Sequence, residues 1–173
     1  MLEAEALDER EADELAHVVL LRLAAEFQGF CRDLHNECID VIFGEFAAPN
    51  RRLELLVSNQ NMRYGRRLDT GNATKDGIGS DFLRLGLRMW VVLESALRDQ
   101  VQEWLLTVHL LNAARNAIAH NVDAKLDQLR QDGHSLSLST ALRWRSSLDA
   151  LAVGMDTVCN AHLRFLLPEV TPW

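Results

Sequence analysis

The chain has 173 residues, 48% of them apolar and 25% charged, with a formal net charge of −7. That length is enough to bury a substantial core without disulfides or metal staples, and the balance is that of an ordinary globular domain, so disorder and collagen-like or low-complexity architectures are excluded. The negative charge argues against a nucleic-acid ligand at first sight, yet residues 1–14 alone carry −6 and the remainder is near neutral at −1. We read 1–14 as an acidic, solvated helix start and 1–173 as a single domain.

Taken in order, residues 7–47 carry a helical pattern. Leu15, Val18, Val19, Leu23, Phe27, Phe30, Leu34, Cys38, Val41 and Ile42 recur at three-and-four spacing. Pro49 stops it, and Gly29 marks a bend or a close helix approach. Arg51–Asn59 reads as a short helix. Residues 61–79 hold four of the nine glycines together with Asn61, Asp69, Asn72 and Asp76, the composition of a loop. Gly79-Ser80-Asp81 resembles a cap for a short helix running to Gly86, and Met89–Leu93 is ambiguous between helix and strand.

Val101–Asn121, VQEWLLTVHLLNAARNAIAHN, reads as a long helix with an almost wholly apolar body, buried on most of its circumference. Val122–Arg130 adds a short helical turn closed by Gln131-Asp132-Gly133. Ser137 or Ser139 caps a last helix that Pro168 stops. The expectation is an all-α antiparallel bundle of three long and a few short helices, with a Gly/Arg-rich loop insert at 61–79. No apolar run approaches the roughly 20 residues of a membrane span. Three cysteines and no signal peptide point to reduced core thiols and a cytoplasmic protein.

The central helix ends in Arg115, Asn116, His120 and Asn121. On an ideal helix Asn116 and His120 share a face and Arg115 projects beside it. Arginine offers a permanently charged fork matched to phosphate oxygens, and histidine titrates near neutrality. Asparagine can orient either. The same groups also suit a structural end to a helix, with the histidine on the macrodipole and the arginine paired to an acid.

Arg115-Asn116-Ala117-Ile118-Ala119-His120 resembles the R-x4-6-H signature of the HEPN superfamily, in the form with a polar residue directly after the arginine. Long amphipathic helices before and after it fit that context. The run from Asn61 through Arg67 to Asp81-Phe82-Leu83 is similar to the insert of the RiboL-PSP-HEPN branch. The resemblance implies a metal-independent endoribonuclease without a cofactor, a homodimer with a composite active site. Its products would be 2′,3′-cyclic phosphate and 5′-OH ends. Arg115, Asn116 and His120 would be its catalytic residues, with Glu26 and Asn121 as auxiliaries, although Glu26 also reads as a helix-surface charge or a salt-bridge partner of Arg22. It implies a toxin, an anti-phage defence component or an RNA-processing factor, with an antitoxin or defence-system protein as a possible partner. Toxins controlled by a partner nucleotidyltransferase carry a tyrosine two residues after the motif histidine. Val122 stands there, so that mode of control is not implied. The alternative is a non-catalytic HEPN dimerisation or nucleotide-sensing module.

Two other clusters carry polar or ligand-type side chains. Arg63, Tyr64, Arg66 and Arg67, with Arg51 and Arg52 nearby, read either as a row tracking an RNA backbone with Tyr64 stacking on a base, or as a charge-balanced surface. Cys31, His35 and Cys38 share a helix face but lack a fourth ligand, so they read as core residues and no metal site is expected. The GxG at Gly77–Gly79 has no preceding strand and is not a dinucleotide site.

Overall fold

Asp8 and Glu11 exchange hydrogen bonds at the start of the first helix. The Asp8 carboxylate accepts from the Glu11 amide at 2.8 Å, and the Glu11 carboxylate accepts from the Asp8 amide at 3.0 Å, a reciprocal cap that satisfies two orphan donors. In the computed structural model, which describes residues 8–45, 58–169 and 172–173, this cap opens α1 (Glu9–Glu45). Its buried stripe is Ala16, Leu20, Leu23, Phe27, Cys31, Leu34 and Cys38 at three-and-four spacing, with Ile39 beside it, while Leu15 and Val18, expected in the stripe, are exposed. Gly29 has open space where a Cβ would stand, so it marks no close approach. Residues 1–7, Pro49 and most of the expected helix Arg51–Asn59 lie outside the described residues.

The expected loop at 61–79 is largely helical. After a π-helical turn at Ser58–Arg63 come α2 (Arg67–Thr70) and α3 (Lys75–Leu83). Composition misled because two side chains organise the backbone. The buried Asp81 carboxylate accepts from the Arg67 amide at 3.1 Å and the Leu68 amide at 2.9 Å, which caps α2 from the neighbouring helix. Thr74, not Gly79-Ser80-Asp81, is the N-cap of α3, its hydroxyl accepting from the Gly77 amide at 3.1 Å. Gly79 is a packing residue. A Cβ there would sit 3.0 Å from Trp90 Nε1, the nitrogen that donates to the Lys75 carbonyl.

Met89–Leu93 is helical and belongs to α4 (Met89–Ala119), which is broken at Leu97 (φ −139, ψ 43). The helix expected from Val101 is the half after this break. Its buried positions are Val101, Trp104, Thr107, Val108, Leu110, Leu111, Ala114 and Ala117, which cover an arc of roughly 200° at 100° per residue, while Leu106 stays exposed. α5 (Asp123–Gln131) closes at Gly133, φ +86, where the His134 amide reaches the Leu129 carbonyl and the Gly133 amide the Arg130 carbonyl. Ser137 caps α6 (Leu138–Leu166) by accepting from the Thr140 amide.

Every regular element among the described residues is helical, so the protein is all-α. α1, α4 and α6 pack pairwise around one core cluster, with Trp104, Trp144, Leu151 and Met155 among its members. Val18 and Arg22 face Ala141 and Arg145, and Phe27 and Phe30 face Leu148 and Ala152, so α1 and α6 run the same way. α4 runs against them, Leu110 lying beside Thr140 and Trp104 nearer Gly154. Among the described residues, no helix is long and apolar enough to cross a membrane.

Candidate functional site

The end of α4 is built by its cap. Helical geometry runs to Ala119, and His120 is the C-cap (φ −108, ψ 7), its amide held by the Asn116 carbonyl at 3.2 Å. Asn121 follows at φ 51, the left-handed conformation that asparagine tolerates better than most residues, and the Val122 amide then reaches back to the Ala117 carbonyl at 2.9 Å. Asn121 therefore has a defined local task in turning the chain. The His120 side chain is exposed and makes no hydrogen bond among the described residues.

Asn116 is oriented from both sides. Its side-chain oxygen accepts from Asn72 Nδ2 at 2.8 Å and from Arg115 Nη1 at 3.0 Å. With that oxygen occupied, the amide presents Nδ2, two hydrogens, outward. Arg115 spends one donor on Asn116 and makes no ion pair with any carboxylate of the described residues. The helix end thus carries a guanidinium, an amide N–H pair and an imidazole, with no ion pair to an acid among the described residues. That set can hold an anion and exchange a proton with it.

The partner Asn72 is placed from α1. Gln28 donates both hydrogens of its amide, to the Leu68 carbonyl at 2.9 Å and the Gly71 carbonyl at 2.7 Å. Asn112, one turn before Asn116, donates to the Ala73 carbonyl at 2.9 Å. Gln28, Asn72 and Asn112 are site-supporting residues that sequence reasoning missed. Asn112 had a weak signal, since it shares the helical stripe of Asn116 and His120. Asn72 had none, because its contact spans 44 residues of chain.

The other expected residues are dispersed. Glu26 pairs with Arg22 at 2.6 Å and lines the groove between α1 and α6, with Leu142 and Arg145. It sits two positions, and so about 200° of helix rotation, from Gln28, which faces the loop beside Arg115. Arg66 is 5% exposed and fully engaged, donating to both Asp69 oxygens, to Asn36 and to His35. Arg63 is bound to Asp40. Tyr64 and the Arg67 side chain remain on the surface.

His35 is wholly buried, its ring edge-on to Phe82. Nε2 donates to the Asp81 carbonyl at 2.9 Å, so Nδ1 is the acceptor for Arg66 at 3.2 Å and the tautomer is defined by its neighbours. Burial drives its pKa down to about 4, outweighing the Asp81 carbonyl that favours its protonated form. Burial raises the Cys31 thiol, and a hydrogen bond with Cys38 together with burial raises Cys159. Both stay protonated as small core residues. Among the described residues, no group of three or more His, Cys, Asp or Glu side chains is placed to hold a metal.

Comparison with protein-family models, with curated proteins and with solved structures returned no match. The functional reading therefore rests on the chemistry of the helix end.

Proposed function

We propose that this chain is a metal-independent endoribonuclease of the HEPN type, a single-domain helical bundle acting as a homodimer with a composite active site. The observation that supports it is the group at the end of α4: Arg115 half-buried and His120 exposed, neither with an acidic partner among the described residues, and Asn116 turned so that its N–H pair faces out. His120 of one protomer accepts the proton of the ribose 2′-OH as that oxygen attacks the adjacent phosphorus. His120 of its mate protonates the departing 5′-oxygen. Arg115 stabilises the charge that grows on the non-bridging oxygens, and Asn116 donates to one of them. The P–O5′ bond breaks as the P–O2′ bond forms, leaving 2′,3′-cyclic phosphate and 5′-OH ends. The setting is a cytoplasmic toxin, anti-phage defence or RNA-processing component, with an antitoxin or defence protein as its restraint.

The test is cleavage of total RNA by purified protein in EDTA, beside His120→Ala and Arg115→Ala. Cleavage by the wild type alone, with cyclic-phosphate ends, supports the reading. No cleavage by a folded wild-type dimer sinks it.

One observation favours a second reading. The Asn116 oxygen is saturated by Asn72 and Arg115, as in a clamp that fastens a loop to a helix. On that reading the cluster is structural and the chain is a dimerisation or nucleotide-sensing module. Adenine nucleotides would then raise the melting temperature without RNA being cut.

A further inference from the structure

His109, Asn112, Asn116 and His120 fall within an arc of about 80° on α4, given 100° of rotation per residue. The stripe that ends in the proposed catalytic group therefore continues toward the middle of the helix. Two turns back, about 10 Å along the axis, it forms one wall of a cleft of about 300 Å³ against the first turn of α3. Leu105 and Val108 make its floor, His109 and Asn112 one side, and Thr74 and Asp76 the other. The Lys75 stem completes the rim, its ammonium drawn to Glu94 at 3.6 Å.

Two of the polar groups here are acceptors. Asn112 donates both amide hydrogens to main-chain carbonyls, those of Ala73 and Val108, each at 2.9 Å. Two carbonyl neighbours require the nitrogen end of the amide to face them, so the group left for a ligand is the oxygen, an acceptor. The Asp76 carboxylate is exposed and has no hydrogen-bond partner among the described residues, a second acceptor. The apolar floor and the His109 imidazole suit the flat face of an aromatic ring. A ring that presents adjacent N–H donors to two acceptors is a nucleobase with an exocyclic amino group. Guanine, with N1–H beside N2–H2, satisfies a carboxylate at two points. Uracil sets carbonyl oxygens on either side of its one N–H, against acceptors, and is rejected.

We infer that the cleft between the first turn of α3 and the Leu105–Asn112 segment of α4 is a base-specificity subsite. It takes a guanine flanking the scissile phosphate. This rests on the endoribonuclease reading for its role in cleavage, but not for binding.

The test is titration of isotopically labelled protein with GMP, AMP, CMP, UMP and inorganic phosphate, followed by amide chemical shifts. The expected result is saturable shifts at residues 74–76 and 105–112 with GMP, weaker by about ten-fold or more with UMP. Asp76→Asn, at an exposed position, lowers GMP affinity by about ten-fold, and His109→Ala lowers it by several-fold. Equal affinity for the four nucleotides, or shifts that inorganic phosphate reproduces, overturns the proposal. RNA cleavage whose base preference survives Asp76→Asn overturns it too, and leaves the nuclease reading standing. GMP binding in this cleft by a protein that cuts no RNA supports the subsite and removes the nuclease.

Discussion

Asn72 donates its side-chain amide to the side-chain oxygen of Asn116 at 2.8 Å, across 44 residues of sequence. This contact, together with the hydrogen bond from Arg115, sets which end of the Asn116 amide faces out. An Asn72→Ala protein should fold, since the bond is exposed and worth about 1 kcal/mol. Asn116 would then be held by Arg115 alone, and RNA cleavage should fall by about ten-fold. Parallel melting curves and cleavage rates check this, and an unchanged rate would detach Asn72 from the site.

Asn116→Asp keeps an oxygen for Asn72 and Arg115 but replaces the outward N–H pair with a second, negatively charged oxygen. Cleavage should drop by about 100-fold, the scale of losing one donor to a developing oxyanion. Thermal stability should move by less than about 1 kcal/mol at so exposed a site. A variant of undiminished activity would show that Asn116 donates nothing to the phosphate.

His35 sets a pH dependence of stability with a definite sign. Its folded pKa is near 4 because it is buried, against about 6.5 when exposed. Between these values the unfolded chain takes up a proton that the folded protein refuses. The contribution of His35 is therefore complete above pH 6.5 and is lost as pH falls toward 4, at up to about 1.4 kcal/mol per pH unit. Urea unfolding at pH 7, 6 and 5 should show the advantage of wild type over His35→Gln narrowing with acid. A constant difference would mean His35 titrates normally.

Arg66 and Arg67 are adjacent and should behave oppositely. Arg66→Lys cannot keep the fork to Asp69 while reaching Asn36 and His35, and should cost about 2–3 kcal/mol of stability. Arg67→Ala should leave stability within about 0.5 kcal/mol. Denaturant midpoints distinguish them, and equal values would mean the buried network is not holding α1 to α2.

The proposed composite site would require two protomers. Sedimentation equilibrium should give a dimer at the protein concentration at which RNA is cut, and cleavage should fall faster than linearly on dilution through its dissociation constant. An active monomer would overturn the proposed division of labour between two His120 side chains.

Much of this molecule was legible in one dimension. The helical period of the first helix, with Leu23, Phe27, Leu34 and Cys38 inward, the Ser137 cap and the turn at Gly133 are consequences of interactions within a few residues, so periodicity and capping chemistry determined them, although Leu15 and Val18 face out. The same holds for the grouping of Arg115, Asn116 and His120 at a helix end, since a helix alone brings positions one turn apart together. Residues 61–79 went the other way. Their glycines and asparagines read as loop until Asp81 and Thr74 supplied caps and Trp90 closed on Gly79. In sequence, Glu26 could face the Arg115 group or pair with Arg22, and Arg66 could track RNA or balance surface charge. Only packing decided that Glu26 turns toward α6 and that Arg66 is consumed by Asp69, Asn36 and His35. Sequence determines what a side chain can do and which near neighbours it meets. Which of its hydrogen bonds are already satisfied depends on partners dozens of residues away, and those are chosen when the core closes.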